Sequence, residues 1–335
     1  MKHLIASLAA TAALSVGAAQ AVSAETVLTV SHWTGPNHTM AKDFFPWMND
    51  QLMACSGGTL SLKVENGLAP PPAQYDTVRD GVADIGWIVH GYTPGKFVAT
   101  KLAELPGIPG TAAQISAAFE MTHEKYLAAA GEAKGVEVLA NFVHGPGLLN
   151  TVKPIASYKD LAGMKLRVGG GVANMVGTAL GVAGVNVPAP AVYETIASGV
   201  ADGVFFPAES LYAFKTAELT KYSYVNPDGM YTTSFALLMN EDTYQGLSAE
   251  HRACIDGMRG VELARKIGEF WDGADTFGRE NAQKEFGLQV IEVGAEDRAF
   301  FKEATAGITA EVLKEVSDRG IDAQAALDYL KSNIK

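Results

Sequence analysis

The stretch "DLAGMKLRVGGGVAN", residues 160–174, runs from an alternating segment through a glycine run into a helix-like segment, with Arg167 at the end of the alternation. Alternation with period two marks a strand. Glycines after a strand let the backbone approach a ligand before a helix opens. Arg carries a planar fork of N–H donors that grips a carboxylate through two parallel hydrogen bonds. A helix N-terminus beside it would add free backbone N–H groups and partial positive charge. Arg167 is therefore a candidate anchor for an organic acid, with Gly170 and Asn174 at the helix entry beside it. A surface ion pair is the plainer alternative.

Outward from this point the same strand–helix order recurs. Residues 25–33, 60–67 and 85–89 read as strands, separated by helical segments at 38–58 and 73–84, with Pro46 kinking the first or marking its late start. Residues 135–145, 165–168 and 203–207 read as strands, and 172–184 and 191–202 as helices. This is the order of a parallel α/β sheet, met twice. Two segments are alike: "AQYDTVRDGVADIGW", residues 73–87, and "AVYETIASGVADGVF", residues 191–205. Their shared Gly-Val-Ala-Asp implies two related lobes. From Ala249 to Phe286, Cys254, Met258, Val261, Ala264, Ile267, Trp271, Ala274 and Phe277 keep a three-to-four spacing without proline, which describes one long helix or a broken pair. A late strand at 288–293 and further helices close the chain.

Composition narrows the function. The 335 residues carry 26 Lys+Arg against 37 Asp+Glu, and 48% are hydrophobic, enough for about two domains with real cores. A net charge of −11 argues against a nucleic-acid surface, which needs clustered cations. Met1-Lys2-His3, the apolar run of residues 4–19 and small residues from Val22 to Ala24 read as a secretory signal peptide over residues 1–24, with Ala21 as a second cleavage point. The mature chain is thus expected to be exported. Cys55 and Cys254 permit one disulfide there; two separately buried thiols are the alternative.

Catalytic signatures are missing: there is no Gly-x-Ser-x-Gly, no His-Glu-x-x-His and no Cys-x-x-Cys. The histidines, including His32 and His38 flanking a loop, lack metal-ligand spacing, and Gly169–Gly171 lacks the pattern of a nucleotide loop. No metal or cofactor is expected. What remains is a binding set. Trp33, Trp87, Tyr92 with His90 beside it, Phe205 and Phe206 stand at or near strand ends, where doubly wound sheets hold their ligands.

The residues "YKDLAGMKLRVGGG", 158–171, and "LGVAGVNVPAPAVYETIASGVADGVFFPAES", 180–210, resemble the central signature of the periplasmic solute-binding proteins of TRAP (tripartite ATP-independent periplasmic) transporters. The resemblance covers almost the whole chain. It implies an α/β, two-lobed periplasmic binding protein fold, with a ligand cleft between lobes and a long helix spanning both. Residues 25–146 with 232–272 would form the first lobe, and 147–231 with 273–335 the second. It implies that Arg167 clamps a ligand carboxylate, and that Cys55 and Cys254 fall in one lobe and are bridged. Three departures bear on the ligand. Phe206 stands where relatives carry an Asn that touches the carboxylate, the loop at 144–151 has no second arginine, and Ala189 replaces an aromatic residue. The site should therefore hold one carboxylate against apolar walls. An aromatic or alkyl body fits, as does an onium group caged by Trp33, Trp87 and Phe206 with Glu209 assisting. The implied function is a periplasmic receptor that hands an organic monocarboxylate to a TRAP membrane permease and catalyses nothing. A secreted α/β enzyme and a soluble sensor partner of a membrane signalling protein are the competing readings.

Overall fold

A computed structural model describes residues 25–335; the signal-peptide segment, residues 1–24, lies outside the described residues. The strands in chain order are β1 (Thr26–His32), β2 (Leu60–Asn66), β3 (Ile85–Val89), β4 (Val136–Val143), β5 (Leu148–Thr151) and β6 (Lys165–Val168). They continue as β7 (Ala183–Asn186), β8 (Gly203–Phe206), β9 (Tyr222–Val225), β10 (Ser234–Asn240) and β11 (Gln289–Glu292). The helices are α1 (Phe45–Cys55), α2 (Gln74–Arg79), α3 (Ala112–Thr122), α4 (Gly171–Ala179), α5 (Val192–Ala197) and α6 (Glu209–Ala213). They continue as α7 (Glu241–Gly246), α8 (Ala249–Asp256), α9 (Val261–Phe286), α10 (Ala295–Ala304), α11 (Ala306–Ser317) and α12 (Ala323–Ser332).

Two sheets result, with strand orders β2-β1-β3-β10-β4 and β11-β9-β5-β8-β6-β7. Each has a parallel heart: β1 pairs with β2 and β3, and β6 pairs with β7 and β8. Each also contains one antiparallel strand returned from later in the chain or from the other side of a crossing, β10 in the first and β5 in the second. The chain passes between the sheets at residues 144–147 and 226–233, and α9 runs along both, packing on α3 and β4 at one side and α6 at the other. Of residues 273–335, β11 joins the six-stranded sheet, while α11 packs on the turn at 99–104 and α12 on α3. No helix among the described residues is long and apolar enough to cross a membrane.

The two similar segments occupy equivalent places, and the reason for their shared residues is visible. Gly81 and Gly199 have φ of 70° and 73°, the left-handed conformation that ends a helix and that only glycine adopts cheaply. Asp84 then receives the Thr29 amide at 2.7 Å, and Asp202 receives the Lys165 amide at 3.2 Å. Each Asp thus pins its strand to the neighbouring parallel strand, β3 to β1 and β8 to β6.

Three local expectations are refined. Pro46 sits in the first turn of α1, where its missing N–H costs nothing, and a widened turn at Met40–Phe44 precedes it. The long helical stretch is a broken pair: Gly260, with φ 75°, separates α8 from the 26-residue α9. At about 39 Å, α9 still spans both sheets. Glycine notches seat it: a Cβ on Gly268 would stand 2.4 Å from Ala113 Cα, and one on Gly278 would stand 2.3 Å from the Ala208 carbonyl oxygen. Finally, the segment at 144–151, read as a loop, ends in strand β5, and β10 is a strand that alternation did not reveal.

The structure joins Cys55, the last residue of α1, to Cys254 in α8.

Candidate functional site

The carboxyl ends of β1, β3, β6 and β8 converge where the two sheets face each other, and Arg167 lies there with only 2% of its surface exposed. Its guanidinium is oriented by three neutral groups. Nε donates to the Val187 carbonyl at 3.0 Å, Nη2 donates to the Tyr92 hydroxyl at 3.0 Å, and the plane sits 4.6 Å over the Phe206 ring. Among the described residues, no acceptor reaches Nη1 and no carboxylate ion-pairs with this arginine. A buried cation held only by neutral partners is costly. The cost falls when an anion docks on the open edge of the fork. Tyr92 Oη also accepts the Ala189 amide at 2.9 Å, so its own proton is free to point at the same anion. The surface ion pair considered for Arg167 is therefore not what this side chain makes.

Arg167 borders a cavity of ≈ 40 Å³ together with Trp33, Trp87, Tyr92, Phe205, Phe206 and Glu209. The structure thus brings seven of the sequence-predicted site residues together. His90, Gly170 and Asn174 line a different cavity of ≈ 580 Å³, which shares only Tyr92 and Gly169 with the first. His90 turns away from Arg167: its Nδ1 meets Ser234 Oγ at 3.0 Å, its ring lies 4.8 Å from Phe97, and burial pushes its pKa down to about 3. The smaller cavity has room for roughly two or three waters. A solute larger than that must part walls contributed by two hinged lobes.

The aromatic rings around the cavity meet both face to face and edge to face. Trp33 stacks on Trp87 at 4.2 Å, and Trp87 has His32 against it at 6.2 Å. Phe206 lies between the Arg167 guanidinium and Phe214, whose ring is stacked at 5.4 Å. Trp33 and Phe206, two of the rings considered for caging an onium group, are each already covered on one face by another side chain.

The helix N-terminus beside Arg167 has a protein partner. Glu104, 2% exposed, accepts the Val172 amide of α4 at 2.9 Å and the Ser234 amide at 3.0 Å. Glu104 thus takes one of the free amides of the helix end that the sequence offers to the ligand carboxylate. Glycine suits position 171, where φ is 56° and a Cβ would lie 2.3 Å from Glu104 Oε2.

Sequence reading left out His38, His144, Phe214, Tyr231, Thr233 and Trp271, all of which line the cavity. His144, Tyr231 and Thr233 lie in the segments that pass between the sheets, which carry no periodic signal. In the sequence His38 suggests only a metal ligand, and among the described residues no group of three or more His, Cys, Asp or Glu could hold a metal ion. Burial pushes the His38 pKa well below its usual value and that of His144 down to about 4, so both are neutral. Burial, with the Asp275 charge second, pushes Glu209 up to about 8.

Next to the cavity the lobes touch backbone to backbone. A Cβ on Gly91 would lie 2.8 Å from Gly171 N and 3.2 Å from Gly170 C. Gly91 does not have positive φ, so alanine there carries no local strain. Gly91→Ala is expected to wedge the lobes apart and weaken ligand affinity at least tenfold, about 1.4 kcal/mol, while the melting temperature without ligand stays within a few degrees. Calorimetry returning the wild-type affinity would show that this contact plays no part in closure.

Comparison with known proteins places this geometry. The model of the family "bacterial extracellular solute-binding protein, family 7" matches residues 30–315. A TRAP periplasmic solute-binding protein from Bordetella bronchiseptica, with (R)-mandelate and (S)-mandelate bound, is 35% identical; 92% of this chain and 98% of that one align, with a TM-score of 0.89. A marine metagenome TRAP solute-binding protein specific for aromatic acid ligands, in complex with 3-hydroxybenzoate, is 34% identical over 93% of this chain and 98% of that one, with a TM-score of 0.88. One from Rhodoferax ferrireducens T118, with copurified benzoate, is 28% identical over 92% of this chain and 97% of that one, with a TM-score of 0.87. The chain belongs to the family 7 extracellular solute-binding proteins, the solute-binding subunits of TRAP transporters.

Proposed function

We propose that this protein captures a small aromatic monocarboxylate in the periplasm and delivers it, unchanged, to the membrane permease of a TRAP transporter. The observation that carries the reading is Arg167: a buried guanidinium, oriented by neutral partners, with its free edge on an aromatic-walled cavity. The fork and the Tyr92 hydroxyl would hold the carboxylate, and the ring would lie among the aromatic side chains of the cavity. Apolar surface removed from water there contributes about 25 cal/mol per Å². The aromatic acids bound by the relatives from Bordetella, Rhodoferax and the marine metagenome agree with this ligand class. Trp33, Trp87, Tyr92, Phe206 and Arg167 are the residues assigned to it, and Glu209 lines the same cavity. His90, Gly170 and Asn174 are assigned to the neighbouring cavity at the cleft edge.

One cation can neutralise one carboxylate. A second carboxylate buried without a partner costs several kcal/mol, so C4-dicarboxylates should be rejected, and sugar acids should fail against apolar walls. In a thermal-shift screen, benzoate-like and phenylacetate-like acids should raise the melting temperature, by an amount equivalent to about 2.7 kcal/mol at one hundred times Kd. Succinate or a hexuronate giving the largest shift would overturn the ligand class. Mass spectrometry should recover the bound acid chemically unchanged after incubation; a converted product would instead favour the enzyme reading.

A further inference from the structure

The cavity that Arg167 borders also has a polar corner with spare hydrogen-bonding capacity. Glu209 is 3% exposed, and its Oε2 accepts the Ser210 hydroxyl at 3.1 Å. Its Oε1 is buried and has no hydrogen-bond partner. His38 Nδ1 accepts the Met40 amide at 3.2 Å, which leaves the ring proton on Nε2. That nitrogen stands 3.6 Å from Glu209 Oε1, too far for a hydrogen bond but close enough for one atom to touch both. Trp271 Nε1 is a third group, buried and without an acceptor, on a ring 5.3 Å from the His38 ring. Glu209, His38 and Trp271 all line the Arg167 cavity, and Glu209 Oε1 and Trp271 Nε1 are buried polar atoms without a partner, which such atoms ordinarily have.

Two chains of ring contacts separate this corner from Arg167. One runs from Arg167 through Phe206 and Phe214 to His38, with steps of 4.6, 5.4 and 5.7 Å. The other runs through Tyr92, Trp33 and Trp87 to the same histidine, with steps of 3.0, 6.3, 4.2 and 5.3 Å. The corner and the arginine thus line one cavity without touching, and each path between them passes through two or more aromatic rings.

We infer that the Glu209–His38–Trp271 corner is a hydroxyl-recognition subsite, and that the preferred ligand is an aromatic monocarboxylate bearing a hydroxyl on the end remote from its carboxylate. The inference rests on the aromatic-acid reading and refines it. A hydroxyl both accepts and donates, so it satisfies the fixed N–H donors of His38 and Trp271. It pairs with Glu209 Oε1 whichever of the two carries the proton. Burial beside Asp275 keeps Glu209 largely protonated near neutral pH, which suits a neutral hydroxyl better than an ammonium group.

The test is calorimetry with benzoate and phenylacetate, their ring-hydroxylated forms, and a trimethylammonium-bearing acid. Wild type, Glu209→Leu and Trp271→Phe are compared, each checked for folding by its thermal melt. The best hydroxylated acid should bind wild type at least tenfold tighter than its parent. Both variants should bring that ratio towards one, and Trp271→Phe keeps the packing if Glu209→Leu does not fold. Equal binding of parent and hydroxylated acids, an unchanged ratio in the folded variants, or tightest binding by the ammonium acid would each overturn the subsite. If parent aromatic acids bind and the hydroxyl adds nothing, only this inference falls. If no aromatic monocarboxylate binds, the aromatic-acid reading fails and takes the subsite with it.

Discussion

Arg167→Ala is expected to weaken carboxylate binding at least thirtyfold, while the protein remains folded. Losing a charge-assisted pair in a closed cleft costs on the order of 2–5 kcal/mol, roughly thirtyfold to several thousandfold in affinity. The direction of the stability change distinguishes a binding arginine from a packing one. An arginine kept for packing alone would destabilise the fold when removed. This one is buried beside a carbonyl, a phenol and a ring face, with no counter-charge among the described residues, so its removal also lifts a desolvation cost from the empty protein. The melting temperature without ligand should therefore hold or rise slightly, and the ligand-induced shift at a fixed ligand concentration should shrink sharply. Arg167→Lys should not rescue binding. An ammonium is a point donor and cannot meet Val187, Tyr92 and a carboxylate in one plane. Wild-type affinity in either variant would remove Arg167 from the site.

How much of this was legible in the sequence depends on which signals are local. Arg167, Trp33, Phe205 and Phe206 stand at the ends of parallel strands, and strand ends are readable from alternation and the glycines that follow. The paired Gly-Val-Ala-Asp segments were legible for the same reason: a left-handed glycine and a strand-pinning Asp are local needs. The failures are non-local. Strand β10, "SFALLMN", is buried along its whole length between β3 and β4, so it shows no alternation. His90 follows a strand as Trp33 does, yet turns to Ser234 and Phe97, and no neighbour in sequence tells the two apart. Trp271 keeps the same spacing as the core residues of α9, so its cavity-facing role cannot be read from periodicity. Glu104 reaches α4 from 68 positions away, and the helix end it occupies looked vacant to a local reading.

Replacing both Cys55 and Cys254 with serine is expected to lower stability by roughly 4 kcal/mol, or about 5–10 °C in melting temperature for a chain of this size. The reason lies in the topology. The five-stranded sheet is made from residues 26–143 and from β10, with five strands of the other sheet encoded between them. The bridge joins α1 to α8 across a separation of 199 residues, so it ties the two remote contributions to one lobe. In the unfolded chain that tie removes many conformations, and the folded state gains by the difference. Thr59 Oγ1 and His251 Nε2, 2.9 Å apart, make a second link between the same regions, so the lobe should still assemble without the bridge. Neither cysteine lines the Arg167 cavity. Affinity at a temperature where the variant is folded should thus match wild type, which separates this change from Arg167→Ala, where stability holds and binding weakens. A double variant that melts with the wild type, under conditions where the wild-type bridge is shown intact by thiol titration, would mean that strain or residual structure in the unfolded chain cancels the entropic gain.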